Sequence, residues 1–426
     1  METGIGSTDD SISLTLGGKE INITESYEVK VSVIQQPSAF SLRLGSNVIA
    51  SELLSMSKPN TEFALHITPK DGLKRTIQSG KIDARSVPSA NFTQVEIRGR
   101  DWLAALFDTY VEEEQTFPEK TFLNLTRTVM NICGLTPDKG HFLQFINDFN
   151  RQRMTGVKAP TIDQGELVSE INTGSMSGTG ELVYKTMKVK LGTRYYEFLL
   201  QQYKLAGLFL WACPDKTFVL ARPHANQPAS YNIFRDRLTG KSNVLDCSFK
   251  DDTTMRHSEA IVYGRSGGGK KGVETCRGSY VDDEMLNYGF DKKIIIHDTD
   301  VKTKADCEYV ARRMLADERR AGWQLEYTLA GHVTPSPLPG SGSAVWAPDT
   351  VVHVEDSEIH VGDDPALQTR KDFYVEAVTY SRGPSGTITK LHLMRPGDLI
   401  FASSLQDDGT LIKRKGQSGK GAKTVH

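Results

Sequence analysis

Few stretches of this 426-residue chain place reactive residue types at spacings that do chemistry. The sharpest is the run Gly264, Arg265, Ser266, Gly267, Gly268, Gly269, Lys270, which comes close to the phosphate-cradling loop of nucleotide hydrolases. Such a loop works because backbone N–H groups and a helix N-terminus surround the phosphates, while a Ser or Thr after the Lys holds magnesium. Here Lys271 and Gly272 follow, and residues 273–280 have no helical pattern, so the expectation is a mobile hairpin tip. The acidic runs Glu112 to Glu114 and Asp282 to Glu284 lack the alternating oxygen spacing of a calcium loop and read as solvated faces. The 10 histidines form no HExxH pair, and no Gly-x-Ser-x-Gly elbow occurs. Cys133, Cys213, Cys247, Cys276 and Cys307 show no CxxC or His-containing metal spacing and read as buried or incidental thiols. No catalytic, cofactor-binding or metal site is therefore expected.

The bulk properties narrow the class further. The length suggests about two to four domains. Hydrophobic residues make up 38% and charged residues 24%, so the chain should fold. A formal charge of -2 with both signs interspersed argues against tight, phosphate-neutralising DNA binding. No stretch approaches the roughly 20 apolar residues that span a bilayer, and Met1 to Asp10 has no apolar signal core, so a protein made in the cytosol is expected.

The elements that would carry any site are mostly strands. Ile12, Leu14 and Leu16 alternate before Gly17-Gly18, with Ile21 and Ile23 on the return. Val29, Val31 and Val33, then Phe40, Leu42 and Leu44, then Phe63, Leu65 and Ile67 repeat the pattern, which suggests an antiparallel barrel or sandwich. Between Thr76 and Phe107 the expectation is two strands and a short helix that Asp101 caps and whose Trp102, Leu103, Leu106 and Phe107 are core. From Val111 the period turns helical, with a stripe of Phe122, Leu125, Val129, Ile132 and Cys133. Residues 136–190, with Phe142, Phe145 and Phe149, read as an elaborated loop or arm. A helix capped by Thr193 follows, then a hairpin around Pro214-Asp215. Strands at 261–263 and 293–296 precede a strong helix over 304–321, with Thr303 and Asp306 as a capping box. Trp323, Leu325, Tyr327 and Leu329 then alternate as a half-buried strand, and 345–354, 373–380 and 387–394 complete the β-rich pattern. Lys413, Arg414, Lys415, Lys420 and Lys423 make a basic tail without acids.

Three of these segments, in order, resemble the baseplate hub proteins of Mu-like contractile phages, relatives of the late-control D proteins. They are Ser79 to Asp83 with Val95 to Asp101 leading into the Trp102 helix, Lys293 to Ile296 followed by the Arg- and Ala-rich helix, and Trp346-Ala347-Pro348 running to Val354. The long 136–190 segment and the Pro335 to Gly342 loop depart from the family pattern.

The resemblance implies an α+β, β-dominated protein with two related antiparallel β-barrel domains and an α/β region between them. On that reading 1–10 is a flexible N-terminus, 11–108 the first barrel, 109–242 the α/β region with the 136–190 arm, 243–400 the second barrel with the inserted 304–321 helix, and 401–426 the flexible tail. Three subunits would set six barrels in a ring that joins the tail tube to the central spike. DNA would pass through a neutral or mildly acidic bore without specific binding. The protein would be non-enzymatic, without cofactor or membrane insertion, and located in the virion after assembly in the bacterial cytoplasm. Rival readings are the spike base of a secretion or contractile injection system, whose β-helical needle this chain does not show, a tail-associated cell-wall hydrolase, and a carbohydrate-binding module using aromatics near 142–149.

Overall fold

The computed structural model describes residues 10–23, 26–34, 37–45, 47–69, 74–87, 94–117, 122–146, 187–203, 208–223, 225, 227–265, 275–298, 301, 304–334, 344–359, 372–383 and 386–398. The first part is β1 (Ser11–Leu16), β2 (Lys19–Ile23), β3 (Ser26–Ser32), β4 (Ala39–Gly45), α1 (Asn47–Met56), β5 (Glu62–Thr68), β6 (Arg75–Ser86) and β7 (Gln94–Asp101). These strands pair antiparallel in the order β3-β4-β7-β6-β5-β1-β2. Alternation drives this: Phe63, Leu65 and Ile67 are buried while their neighbours on β5 face outward. Gly17 and Gly18, at φ +53° and +85°, make the tight β1–β2 turn.

Trp102, Leu103 and Leu106 are core, as expected, and Phe107 packs against them partly buried. Trp102 Nε1 donates to Ser79 Oγ at 2.9 Å, and Phe107 stacks on Tyr196 with ring centroids 4.0 Å apart. Asp101 accepts from the backbone N–H of Ser38 at 2.9 Å and of Leu103 at 3.0 Å. It therefore fixes the turn before the helix, and Leu103 occupies the N-cap position itself. Burial pushes the Asp101 carboxyl up to about 7, against the pull of those backbone donors.

The middle part contains α2 (Ala104–Asp108), β8 (Gln115–Phe117), α3 (Phe122–Ile132), β9 (Phe142–Ile146), β10 (Met187–Val189), α4 (Tyr195–Tyr203), β11 (Phe209–Ala212) and β12 (Thr217–Ala221). Its own core gathers Trp102, Leu106, Phe117, Leu125, Val129, Phe198, Tyr203 and Phe218. The helix after Val111 starts only at Phe122, because 115–117 pairs with β10 as a strand. Within the segment read as a loop, β9 runs parallel to β12, with Phe145 opposite Leu220. Residues 147–186, including Phe149, lie outside the described residues.

The last part holds β13 (Tyr231–Asp236), β14 (Lys241–Ser242), β15 (Val244–Asp251), β16 (Glu259–Arg265), β17 (Thr275–Val281), α5 (Asp283–Asn287), β18 (Lys293–His297), α6 (Lys304–Gly322), β19 (Trp323–Ala330), β20 (Val333–Thr334), β21 (Ala344–Val345), β22 (Thr350–Asp356), β23 (Asp372–Gly383) and β24 (Gly386–Met394). One edge of β23 pairs with β24, while the other pairs with β22 and then with β3, Val378 facing Val31 and Tyr380 facing Val29. The ladder to β24 shifts register between Val375 and Ala377, where β23 leaves β22 for β3. A single 14-stranded sheet results, and the described ladders form one open, branched path, without a pairing of β2 with β3 or of β13 with β15. Both ends of the sheet feed one core, with Leu14, Leu42 and Leu65 from the first part and Tyr327, Val354 and Leu391 from the last.

The seam between the two parts is closed by a histidine. His332 is fully buried, with Nε2 2.6 Å from the Tyr27 hydroxyl and Nδ1 2.9 Å from Thr389 Oγ1. Its backbone N–H donates to Asp10 at 2.7 Å. Burial, helped by the charge of Arg382, pushes the imidazole down to about 3, so it is neutral.

A smaller module sits beside the sheet: β17-β16-β18 covered by α6, with Ala260, Val262, Cys307, Val310, Ala311 and Leu315 between them. Helix and strand touch at Gly278, where a Cβ would lie 2.5 Å from the Glu308 backbone nitrogen.

Candidate functional site

The Gly-rich run joins β16 to β17, which pair antiparallel up to Arg265 opposite Thr275. A strand follows it where a nucleotide loop needs a helix, so the flanks are those of a hairpin. Residues 266–274 themselves lie outside the described residues. Glu112, Glu113 and Glu114 are exposed, as expected of a solvated face. Among the described residues no group of three or more His, Cys, Asp or Glu side chains is arranged to hold a metal ion.

The second acidic run is not a solvated face. The Asp282 side chain is 2% exposed and caps α5, its Oδ1 accepting from the Glu284 N–H at 3.1 Å. Around it converge three arginines from distant segments. Arg256, 1% exposed, lies in the turn after β15 and donates to Glu284 Oε2 at 2.6 Å, Asp282 Oδ2 at 3.3 Å and Asp251 Oδ1 at 3.3 Å. Arg395, just past β24, donates to both Glu284 oxygens at 3.1 and 3.3 Å and to Asp398 at 3.0 Å. Arg319, in the last turns of α6, lies 2.6 Å from Asp398 and 3.6 Å from Asp282.

Each of these segments arrives for a local reason. Asp252 N–H bonds the Gly322 carbonyl at 2.9 Å, and a Cβ at Gly322 would lie 2.3 Å from the Asp252 carbonyl oxygen, so only glycine lets the β15 end meet the end of α6. Glu318 of α6 then holds His257 through its backbone N–H at 2.9 Å and its ring at 2.8 Å. The cluster thus ties the small module to β15 and β24 of the large sheet. Burial alone would raise the Glu284 carboxyl, but Arg395 and Arg256 outweigh it and hold it below the usual carboxylate range. Every acid in the cluster faces an arginine, which makes it a brace and leaves no spare base.

Apolar side chains lie over this brace in the open. Met255, next to Arg256, is 78% exposed, and Phe249, Leu286, Tyr288 and Phe290 are exposed beside it. Their positions are fixed from below: the Tyr288 hydroxyl lies 3.4 Å from Glu284 and 3.5 Å from Asp251, and Lys292 reaches the Thr254 carbonyl at 3.3 Å while lying over the Phe290 ring. Phe249 meets Trp323 edge-on, and Arg395 covers that same indole at 5.1 Å. A cluster of large exposed apolar groups on a rigid support is the makeup of a contact surface. No spacing in the sequence marks it.

No protein-family model and no curated protein matches the chain. Among solved structures, the tail protein from Neisseria meningitidis MC58 superposes with a TM-score of 0.67 at 18% identity, over 92% of this chain and 98% of that one. The 43 kDa tail protein of prophage MuSo2 from Shewanella oneidensis gives a TM-score of 0.67 at 16% identity, over 93% and 99%. A Francisella PdpA-VgrG complex gives 0.50 at 9% identity, and there the chain spans 58% of its counterpart. The structural neighbours are phage tail proteins, in agreement with the hub resemblance, and this chain shares the fold of these two over 92–93% of its length.

Proposed function

We propose that the chain is the structural baseplate hub of a contractile phage tail, a non-enzymatic part of the virion. The observation that carries this reading is the match of nearly the whole chain to nearly the whole of two tail proteins, one of them from a prophage. The hub reading further takes the first and last parts of the sheet as two related barrel units, so that three copies set six of them in a ring between tail tube and spike. The exposed Met255, Tyr288 and Phe290 surface is where copies meet, since burying such groups on a rigid base is what stabilises an obligate interface. The bore is neutral or mildly acidic and lets DNA pass without gripping phosphates, in keeping with the formal charge of -2.

Light scattering on the purified chain at micromolar concentration tests this. A trimer is expected, and Met255→Asp with Tyr288→Glu should shift it toward monomer. A stable wild-type monomer that also ignores its spike protein would end the hub reading. The second reading, the spike base of a secretion system, draws on the likeness to the VgrG-containing complex. Reconstitution with a tail tube protein or with a secretion-system tube protein separates the two.

A further inference from the structure

Two cysteines that look incidental in the sequence lie side by side. Cys276 is on β17 opposite Gly264 of β16, and Cys307 is in the first turn of α6, 31 positions later; their Sγ atoms are 3.5 Å apart. Two glycines make room for the pair. A Cβ at Gly264 would lie 2.6 Å from Cys276 Sγ, and one at Gly278 would lie 2.8 Å from Cys307 Cβ. An ordinary residue at either place would displace one of the thiols. The two sulfurs also differ in access, Cys307 being fully buried and Cys276 half-buried. Burial, with Cys276 alongside, pushes the Cys307 thiol up, which leaves the more accessible Cys276 as the first to react.

We propose that Cys276 and Cys307 are a latent disulfide, closed by exchange with a small disulfide such as oxidised glutathione when the protein leaves a reducing compartment. The Cys276 thiolate attacks one sulfur of the reagent, whose S–S bond breaks to give a mixed disulfide and one small thiolate. Cys307, giving its proton to that thiolate, then attacks Cys276 Sγ. The protein S–S bond forms as the mixed bond breaks, and the second half of the reagent leaves as a thiolate with the bonding electrons and takes up the proton that Cys276 released to solvent. Two protein thiols are oxidised and one reagent disulfide is reduced to two thiols. Rotation about the Cα–Cβ bonds must bring the sulfurs from 3.5 Å to about 2.05 Å. The product would staple β17 to α6 beside the close contact at Gly278.

The test uses the full chain, purified reduced and incubated in native buffer with oxidised glutathione. Free thiols are expected to fall by two, from five to three. Peptide mapping should find the Cys276 and Cys307 peptides joined, reduction should restore all five thiols, and the oxidised protein should melt at a higher temperature. In Cys307→Ser the glutathione adduct on Cys276 should persist. Retention of all five thiols in the wild type, an adduct on Cys276 that never resolves, or linkage between other cysteines would each overturn the proposal.

Discussion

The two junctions of this molecule are built on opposite principles. Where the first and last parts of the sheet meet, β23 hands its edge from β22 to β3, aliphatic side chains fill one shared core, and the polar centre is a neutral histidine between two hydroxyls. Where the small module meets the sheet, Arg256, Arg319 and Arg395 face four carboxylates. Apolar burial is forgiving in direction, whereas a buried charge cluster tolerates only one arrangement, since any lost partner leaves an uncompensated charge. The sheet junction therefore supplies stability, and the cluster supplies position to the exposed face above it.

Breaking the charged junction should give the largest effect. Arg256→Met leaves Asp282 and Glu284 with a missing partner in a buried place, and a loss of about 3–5 kcal/mol in denaturant unfolding is expected. A loss under about 1 kcal/mol would show that water reaches the cluster and that it is no brace.

The histidine junction is sharpened by pH. His332 folds with its proton affinity depressed to about 3 from 6.5, so the unfolded chain takes up a proton first and stability falls as pH drops below 6.5. Asp101 acts with the opposite sign: raised from 3.8 to about 7, it keeps its proton only in the folded state, so stability rises as pH falls through that window. The two oppose each other, while His66, His141 and His392, also held down by burial, add to the His332 side. In Asp101→Asn the decline from pH 6.5 to 4.5 should appear at roughly 1 kcal/mol per pH unit, read from melting curves, and a flat profile would contradict the neutral, buried state of His332.

Tyr27→Phe removes the hydroxyl facing His332 Nε2 without changing the packing, and a loss of about 1–3 kcal/mol is expected in urea unfolding. The smallest effect belongs to the outer face of the cluster. The Tyr288 hydroxyl lies a long 3.4 and 3.5 Å from Glu284 and Asp251 near solvent, so Tyr288→Phe should stay within about 0.5 kcal/mol of wild type.

What was legible in the sequence follows the same division. Alternation and turn chemistry are local, so β1, β5 and β19, the β11–β12 hairpin and α6 could be read directly from Ile12, Phe63, Trp323 and their neighbours. β9 could not, because Phe142 to Ile146 is a short apolar run whose strand state is settled by parallel pairing with β12, far along the chain. The charge cluster was hidden for a related reason. Asp282 to Glu284 has the look of a solvated run, and its burial depends on arginines at 256, 319 and 395 that only the tertiary fold brings together. His332 carries no local signal at all, since Tyr27 is 305 positions away.

The handover along β23 also has a mechanical side. Because one strand serves both parts of the sheet, a pull on β22 travels through a continuous backbone before it reaches the first part. From β23 to β3 it crosses a ladder whose hydrogen bonds lie across the strand direction, so a force along the strands loads all of them at once in shear and none singly in peel. Any load passed along this route between the two parts of the sheet is therefore borne by Ala377 to Arg382.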